Sequence, residues 1–226
     1  MKPIDQSLKV LVVGATGGTG RATVEALLRA GHRVTAFARS ATRLAEGLAA
    51  EGLRALDGDA TNPDEVDRAV QGQDAVVVTL GIRENPLRVR LLGPARTPMD
   101  VRSTGTRNVV AAMARHGVSR LAVQSSYGVG ETRERLGLAD RLLFGLLLKP
   151  QIADTEVQEQ VVRSSELDWL IAQPVHLTDA DEDALPFTSL TGDTRRMSLS
   201  RKRVARFLAD SLSRPELSQA SVALSG

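Results

Sequence analysis

The chain has 226 residues, of which 42% are hydrophobic and 25% are charged, a composition typical of a globular α/β domain. The formal net charge of +2 gives no reason to expect a nucleic-acid partner, and the absence of cysteine excludes disulfides, thiolate catalysis and cysteine metal sites. The first seven residues lack the apolar core of a signal peptide, and the most apolar run, residues 142–148, is far shorter than the roughly 20 residues of a membrane helix. We therefore expect a cytoplasmic protein with no membrane partner, and nothing in the sequence indicates a metal.

A glycine-rich turn joins the first predicted strand, residues 8–13, to a predicted helix over residues 18–30. Glycine lets the backbone turn tightly, lets phosphate oxygens approach without a Cβ in the way, and lets the helix pack closely on the strand. The N–H groups and the positive dipole end of the helix then favour an anion. A plain βα turn is the alternative on the motif alone. The turn predicts a pyrophosphate site formed by Gly14, Thr16, Gly17, Gly18, Thr19 and Gly20.

The second predicted strand, residues 33–38, is followed by Arg39, Ser40 and Arg43. In NAD-binding proteins of this type an acidic residue near this point accepts hydrogen bonds from the ribose 2′-OH. Two guanidinium groups and a hydroxyl suit a 2′-phosphate instead, because guanidinium binds phosphate oxygens that a carboxylate would repel. The alternative is that both arginines are solvated surface charges. The position at the end of the strand predicts NADP(H) as the cofactor.

Strand and helix patterns continue to alternate along the chain. Predicted helices cover residues 41–49, 63–70, 100–116, 153–165 and 201–213, and predicted strands cover residues 53–57, 74–80, 120–124 and 169–172, with short strands at 197–199 and 222–224. Right-handed crossovers turn this alternation into a doubly wound parallel sheet, so we expect an α/β fold of Rossmann type forming a single domain over residues 1–226.

The carboxyl ends of parallel strands form one rim, where ligands bind. Asp59, Gly81, Ser125 and Ser126 follow predicted strands and should share this rim with the glycine-rich turn. The loop over residues 82–98 carries four arginines and three prolines and is long enough to indicate a functional role. We predict a small substrate-side region contributed by residues 82–98, 127–150 and 176–196.

These residues resemble the atypical short-chain dehydrogenase/reductases, the group that contains NmrA-like proteins and the biliverdin-IXβ or flavin reductases. The resemblance covers residues 8–180 and lies in motifs that stand in the family's order: Gly14-x-x-Gly17-x-x-Gly20, Gly58-Asp59, Leu80-Gly81, Gly105-Thr106-Arg107-Asn108 and Gln173-Pro174-Val175-His176. It implies a Rossmann-like fold with NADP(H), with Asp59 and Ala60 beside the adenine and Leu80 and Gly81 on the nicotinamide side.

The resemblance to the flavin reductases places the family's active-site serine on Ser126 and its histidine on His176. Ser125 and Pro174 adjoin these positions, and we assign them to the cofactor site. Standard members of the wider superfamily use a Tyr-x-x-x-Lys pair. Here the single tyrosine is Tyr127 and the residue four positions later is glutamate, so a tyrosine-driven alcohol or ketone oxidoreductase is not expected.

The sequence therefore predicts an NADPH-dependent reductase, a monomer or homodimer, that transfers hydride to a flavin-like or other conjugated ring substrate, FMN being a candidate. The main alternative is a non-catalytic NADP(H)-sensing regulator of NmrA-like type, which would use a protein partner. A sugar-nucleotide epimerase is disfavoured by the missing Tyr-x-x-x-Lys pair. Two alternatives to the catalytic roles stay open. In these, the Ser126 hydroxyl only caps the backbone at the end of a strand, and His176 is a loop residue that hydrogen-bonds to the backbone.

Overall fold

Strands and helices alternate along the chain in the computed structural model, which describes residues 7–82, 97–135, 149–182 and 184–226. The strands are β1 (Lys9–Val13), β2 (Arg33–Ala38), β3 (Leu53–Asp57), β4 (Ala75–Val78), β5 (Arg120–Gln124), β6 (Asp168–Pro174), β7 (His176–Thr178), β8 (Phe187–Ser189), β9 (Ser198–Ser200) and β10 (Ala220–Ser225). The helices of these residues are α1 (Gly18–Arg29), α2 (Ala41–Leu48), α3 (Pro63–Val70), α4 (Val101–His116), α5 (Lys149–Arg163) and α6 (Arg201–Ser211). Short 3-10 helices cover Gly130–Arg135 and Pro215–Leu217.

The main sheet has the strand order β3-β2-β1-β4-β5-β6-β10-β8. Its strands run parallel except β8, which is antiparallel to β10. β7 and β9 form a separate parallel pair. The chain order reverses between β1 and β4, and ligands of open α/β sheets bind outside the strand ends at such a reversal. The predicted Rossmann-type doubly wound sheet is thereby confirmed.

Apolar side chains fill both faces of this sheet. Along β1, Val10 and Val12 belong to a core with α1 and α6, whereas Leu11 and Val13 face a second core with α3, α4 and α5. β4 is buried at every position, as expected of a strand covered on both sides. Trp169 on β6 belongs to the second core and is 7% exposed.

Local signals place most elements where the sequence predicts them. β2, β3, β5 and α3 begin and end at the predicted residues. At the start of α3 the Asn62 side chain accepts hydrogen bonds from the N–H groups of Asp64 and Glu65, the capping that the sequence indicates. The predicted bounds were wrong for α5, which begins at Lys149 instead of residue 153, and for the last strand, which extends over Ala220–Ser225 and joins the main sheet.

A buried arginine ties the amino end of the sheet to the end of the last helix. The Arg120 side chain is 8% exposed. Its Nη1 donates to Asp168 Oδ1 at 2.7 Å, and its Nη2 donates to the carbonyl oxygens of Ser211 and Arg214. The guanidinium therefore links β5, β6 and the negative dipole end of α6.

We expect Arg120→Met to lower the free energy of unfolding by about 2–3 kcal/mol, because the Asp168 carboxylate loses its ion-pair partner and the carbonyl oxygens of Ser211 and Arg214 each lose one of two donors. Urea denaturation measures this loss. The control is Arg133→Met, which removes a solvent-exposed ion pair with Glu156 and should cost less than about 1 kcal/mol. Equal losses in the two variants would contradict the role given to Arg120.

Candidate functional site

The carboxyl ends of β1, β2, β4 and β5 border an open cleft of about 770 Å³ at the strand-order reversal. Many residues that the sequence predicts to hold the cofactor line this cleft: Gly14, Thr16, Gly17, Gly18, Thr19, Arg39, Ser40, Asp59, Ala60, Leu80 and Gly81. The structure thus brings these residues together from separate parts of the chain, while the contacts that they would make with a cofactor remain predictions.

The glycine-rich turn owes its shape to close backbone contacts. Gly14 has a φ of +84°, and a Cβ there would lie 2.8 Å from the carbonyl oxygen of Thr79. A Cβ on Gly20 would collide with the carbonyl oxygen of Gly14, so Gly20 shapes the turn from beneath. No side chain caps the start of α1 at Gly17. Gly18 and Thr19, the first residues of α1, line the cleft, and a helix start without a side-chain cap suits an anion.

Arg201, which sequence reasoning missed, lies over this turn. A Cβ on Gly18 would be 2.7 Å from Arg201 Cδ, so the arginine side chain rests against the glycine. Arg201 is the first residue of α6, and α6 packs beside α1 on the same face of the sheet. Its Nη1 pairs with Asp179 Oδ1 at 2.6 Å. Nothing local in the sequence connects Arg201 to a glycine turn so far away along the chain.

Arg39 and Ser40 lie at the cleft where β2 ends. Arg39 is exposed, and its Nη2 donates to Thr97 Oγ1 at 3.1 Å. Ser40 precedes α2 without making a side-chain capping bond. Arg43 is exposed on α2 and stands outside the cleft lining of the described residues. The Thr42 N–H lowers the pKa of Asp57, and the charge of Arg43 contributes to that shift.

Three of the motifs that carry the family resemblance meet on one side of the cleft: Gly58-Asp59, Leu80-Gly81 and Gly105-Thr106-Arg107-Asn108. Asp59 Oδ1 accepts hydrogen bonds from the N–H and the hydroxyl of Thr61. Asn108 Nδ2 donates to the carbonyl oxygen of Ala60 at 2.9 Å. A Cβ on Gly105 would be 2.5 Å from Leu80 Cδ1, so α4 packs directly against the segment that follows β4. Long-range packing therefore joins these motifs.

Ser125 faces the interior. Its hydroxyl donates to Glu159 Oε1 at 2.5 Å, and Glu159 is 2% exposed. The same carboxylate accepts from Gln173 Nε2 and Arg163 Nη2. Pro174 is also buried, and neither it nor Ser125 belongs to the lining that the described residues give the cleft. A cofactor contact by these two residues remains a prediction, whereas Ser125 has an observed role in holding α5 against the end of β5.

Ser126 and His176 lie on adjacent segments after β5 and β6, because the Tyr127 N–H donates to the carbonyl oxygen of Pro174 at 2.9 Å. The Ser126 hydroxyl donates to the Tyr127 carbonyl oxygen at 3.3 Å, and His176 is exposed at the start of β7. Neither is among the described residues that line the cleft. Their catalytic roles remain predictions.

The Tyr127 side chain has a different function from a catalytic phenol. It is 4% exposed, and its hydroxyl donates to the carbonyl oxygen of Gly192 at 3.0 Å. It therefore holds the segment after β8 against the end of β5. The sequence-based prediction that this tyrosine is not an acid–base residue agrees with that position.

Two polar atoms in the cleft are buried without a hydrogen-bond partner within the described part of the chain: Gln124 Oε1 and Arg102 Nη1. Gln124 ends β5, and Arg102 lies in the first turn of α4. Neither was selected from the sequence, because an isolated glutamine or arginine carries no signal there. Buried polar groups normally have partners, so each of these two atoms has hydrogen-bonding capacity that the described residues do not use.

Parts of the predicted substrate side lie outside the described residues, namely 83–96 of the arginine-rich loop, 136–148 with the apolar run 142–148, and residue 183. The proposed division of the chain into a cofactor part and a substrate part therefore stays a prediction. None of the described helices combines the length and apolar character needed to cross a bilayer.

Comparison with known proteins identifies several relatives. The chain is 34% identical over 160 residues to a 2-alkyl-3-oxoalkanoate reductase from Stenotrophomonas maltophilia, covering 69% of this chain and 46% of that protein. It is 28% identical over 201 residues to reductase pytE from Aspergillus terreus, covering 75% of this chain and 76% of that protein. The chain thus spans less than half of the first relative.

Solved structures share the fold. A short-chain dehydrogenase/reductase from Veillonella parvula, in complex with NADP, has a TM-score of 0.79 at 17% identity, covering 98% of this chain and 95% of that chain. ChuY, an anaerobilin reductase from Escherichia coli O157:H7, has a TM-score of 0.76 at 23% identity, covering 96% of each chain. The predicted resemblance to NAD(P)-binding Rossmann-fold proteins is confirmed. Because residues 14–215 match the family model described as NAD(P)H-binding, with the glycine-rich turn at its start, the chain belongs to the NAD(P)H-binding family.

Proposed function

We propose that the protein is an NADPH-dependent reductase that transfers hydride to a flavin-like or other conjugated ring substrate. The observation that carries this proposal is the cleft, which extends from the glycine-rich turn to unpaired polar atoms beside β4 and β5. Its volume of about 770 Å³ lies in the range of small-molecule and cofactor sites. The similar proteins named as reductases support reduction over epimerisation.

The choice of NADPH over NADH rests on the end of β2. Arg39 and Ser40 line the cleft there, and the Ser40 side chain makes no capping hydrogen bond to α2. No carboxylate immediately follows the strand to accept a hydrogen bond from a ribose 2′-OH. A guanidinium fits a phosphate through paired N–H donors. The pyrophosphate would lie at the start of α1, where Arg201 adds a positive charge beside Gly18.

The type of substrate follows from the acid–base groups that this chain offers. Tyr127 is bonded to Gly192, so no tyrosine hydroxyl is available to protonate an alkoxide. A bound reduced nicotinamide supplies hydride, and a conjugated ring accepts it with little demand on protein acid–base groups, provided that the two rings are oriented. Ser126 and His176, on adjacent segments at the strand ends, would supply a hydrogen bond and a proton to that ring.

The first test is NADPH oxidation by the purified protein, followed by absorbance at 340 nm with and without FMN. We expect oxidation that depends on FMN and is much faster with NADPH than with NADH. Tight NADPH binding without turnover, with FMN and with other conjugated ring compounds, would contradict the proposal. That outcome would support the sensing alternative and a search for a protein partner.

Two matched substitutions test the cofactor assignment. Arg39→Met should weaken NADPH binding by about tenfold and leave NADH binding nearly unchanged, because only NADPH carries the 2′-phosphate. Arg201→Met should weaken both cofactors by similar factors, about three- to tenfold, because the pyrophosphate is common to them. Isothermal titration calorimetry measures all four affinities. Equal effects of Arg39→Met on NADPH and NADH would refute the 2′-phosphate assignment.

His176→Ala should reduce kcat by about tenfold, a modest loss because solvent can replace the histidine as proton donor. NADPH affinity should stay within about twofold of the wild-type value and serves as the control for folding. Stopped-flow measurement of the 340 nm decay separates the two quantities. Unchanged turnover would remove the proposed proton-donating role.

A further inference from the structure

Among the described residues three arginines line the cleft, and two of them have recognisable tasks. Arg39 donates to Thr97 at the end of β2, and Arg201 lies over Gly18 and pairs with Asp179. Arg102 differs, because its Nη1 is buried and finds no acceptor within the described residues. Its guanidinium therefore has hydrogen-bonding capacity that the ligand-free protein leaves unused.

The Arg102 guanidinium lies beside the end of β4. A Cβ on Gly81 would be 3.0 Å from Arg102 Nη2 and 3.4 Å from Cζ, so the glycine makes the room that the guanidinium occupies. Both residues line the cleft. Leu80 and Gly81 are the residues predicted to lie on the nicotinamide side. The arginine is thus placed toward the end of the cleft where a second ligand would meet the cofactor.

Asp154, whose charge acts on this guanidinium, makes its described hydrogen bonds elsewhere. The two carboxylate oxygens of Asp154 accept from the backbone N–H groups of Arg102 and Ser103, at 3.0 and 3.1 Å. Burial lowers the pKa of Arg102 and the charge of Asp154 offsets part of that shift, yet an arginine side chain stays cationic in proteins. A buried cation without a full set of acceptors is costly, and an entering anion relieves that cost.

We propose that Arg102 is the receptor for an anionic group, a phosphate or a carboxylate, on the substrate. The assignment rests on the proposed reductase function and specifies its substrate class. Arg39 accounts for the 2′-phosphate of NADPH, and the glycine-rich turn with Arg201 accounts for the pyrophosphate. Arg102, beside Gly81, is left for an anion that the cofactor does not supply. Gln124 also lines the cleft, and its buried Oε1 likewise has no hydrogen-bond donor among the described residues.

FMN and riboflavin test this assignment, because they share one ring system and differ in a single phosphate. Each is titrated by calorimetry into the protein saturated with NADP⁺, so that no hydride transfer is needed. We expect the wild-type protein to bind FMN roughly tenfold more tightly than riboflavin, the size of one charge-assisted hydrogen-bond pair. Arg102→Met should abolish that difference and leave the affinities for riboflavin and NADP⁺ within about twofold.

Two controls separate binding from folding. Arg115→Met changes an exposed arginine of the same helix, which pairs with Asp67, and should keep the preference for FMN. Arg102→Lys retains the positive charge and should keep part of the preference for FMN. The melting temperature of ligand-free Arg102→Met should equal or exceed that of the wild type, because an incompletely paired buried charge is removed. A structural arginine would show a fall instead.

Equal affinities of the wild type for FMN and riboflavin, or no binding of either, would overturn the assignment. So would a loss of NADP⁺ affinity in Arg102→Met with the FMN preference intact, which would give the arginine to the cofactor. The proposed function fails separately. A binding preference for FMN without NADPH oxidation would support Arg102 as the anion receptor and refute the reductase function. Equal NADPH oxidation with FMN and riboflavin, with no binding preference, would support the reductase function and refute the anion receptor.

Discussion

The site depends on the close approach of two backbone segments at the strand-order reversal, where β1 and β4 lie side by side. A side chain on Gly14 would meet the Thr79 carbonyl oxygen at 2.8 Å, so the end of β1 can turn against the end of β4 only without a Cβ. This contact directs the start of α1 into the cleft and brings Gly81 to its border. The proposed pyrophosphate site and the proposed position of a second ligand thus both depend on one packing constraint.

Positive charge enters the cleft from three elements that are far apart in the chain. Arg39 follows β2, Arg102 begins α4 and Arg201 begins α6, and each reaches the cleft because its element ends or starts at the same rim of the sheet. Two carboxylates, those of Asp59 and Asp179, also line the cleft, so arginines outnumber carboxylates in the described part of the lining. Such an arrangement favours the binding of anions and lowers the folding stability of the protein itself, because it brings together like charges and partly dehydrated guanidinium groups.

A polar network in the interior fixes the segment that follows β5. Glu159 receives hydrogen bonds from Ser125 and Gln173, and the Gln173 amide also donates to the Val129 carbonyl oxygen. With the Tyr127 hydroxyl bonded to Gly192, these contacts hold the segment after β5 in one conformation. Ser125 and Ser126, two neighbouring hydroxyl residues in the sequence, therefore differ in the structure. The Ser125 hydroxyl donates to the buried Glu159 carboxylate, whereas Ser126 remains partly accessible.

The sequence by itself determined the elements whose signals are local. The glycine-rich turn, the strand at Arg33–Ala38 and the capped helix at Pro63–Val70 follow from periodicity, backbone freedom and capping, which act over a few residues. Tertiary structure decided the rest. It extended the predicted strand 222–224 to Ala220–Ser225 and paired it with β6, placed Arg201 over Gly18, and left Arg102 Nη1 without an acceptor among the described residues. These outcomes depend on which distant segments pack together, and no local pattern encodes a contact between residues so widely separated along the chain.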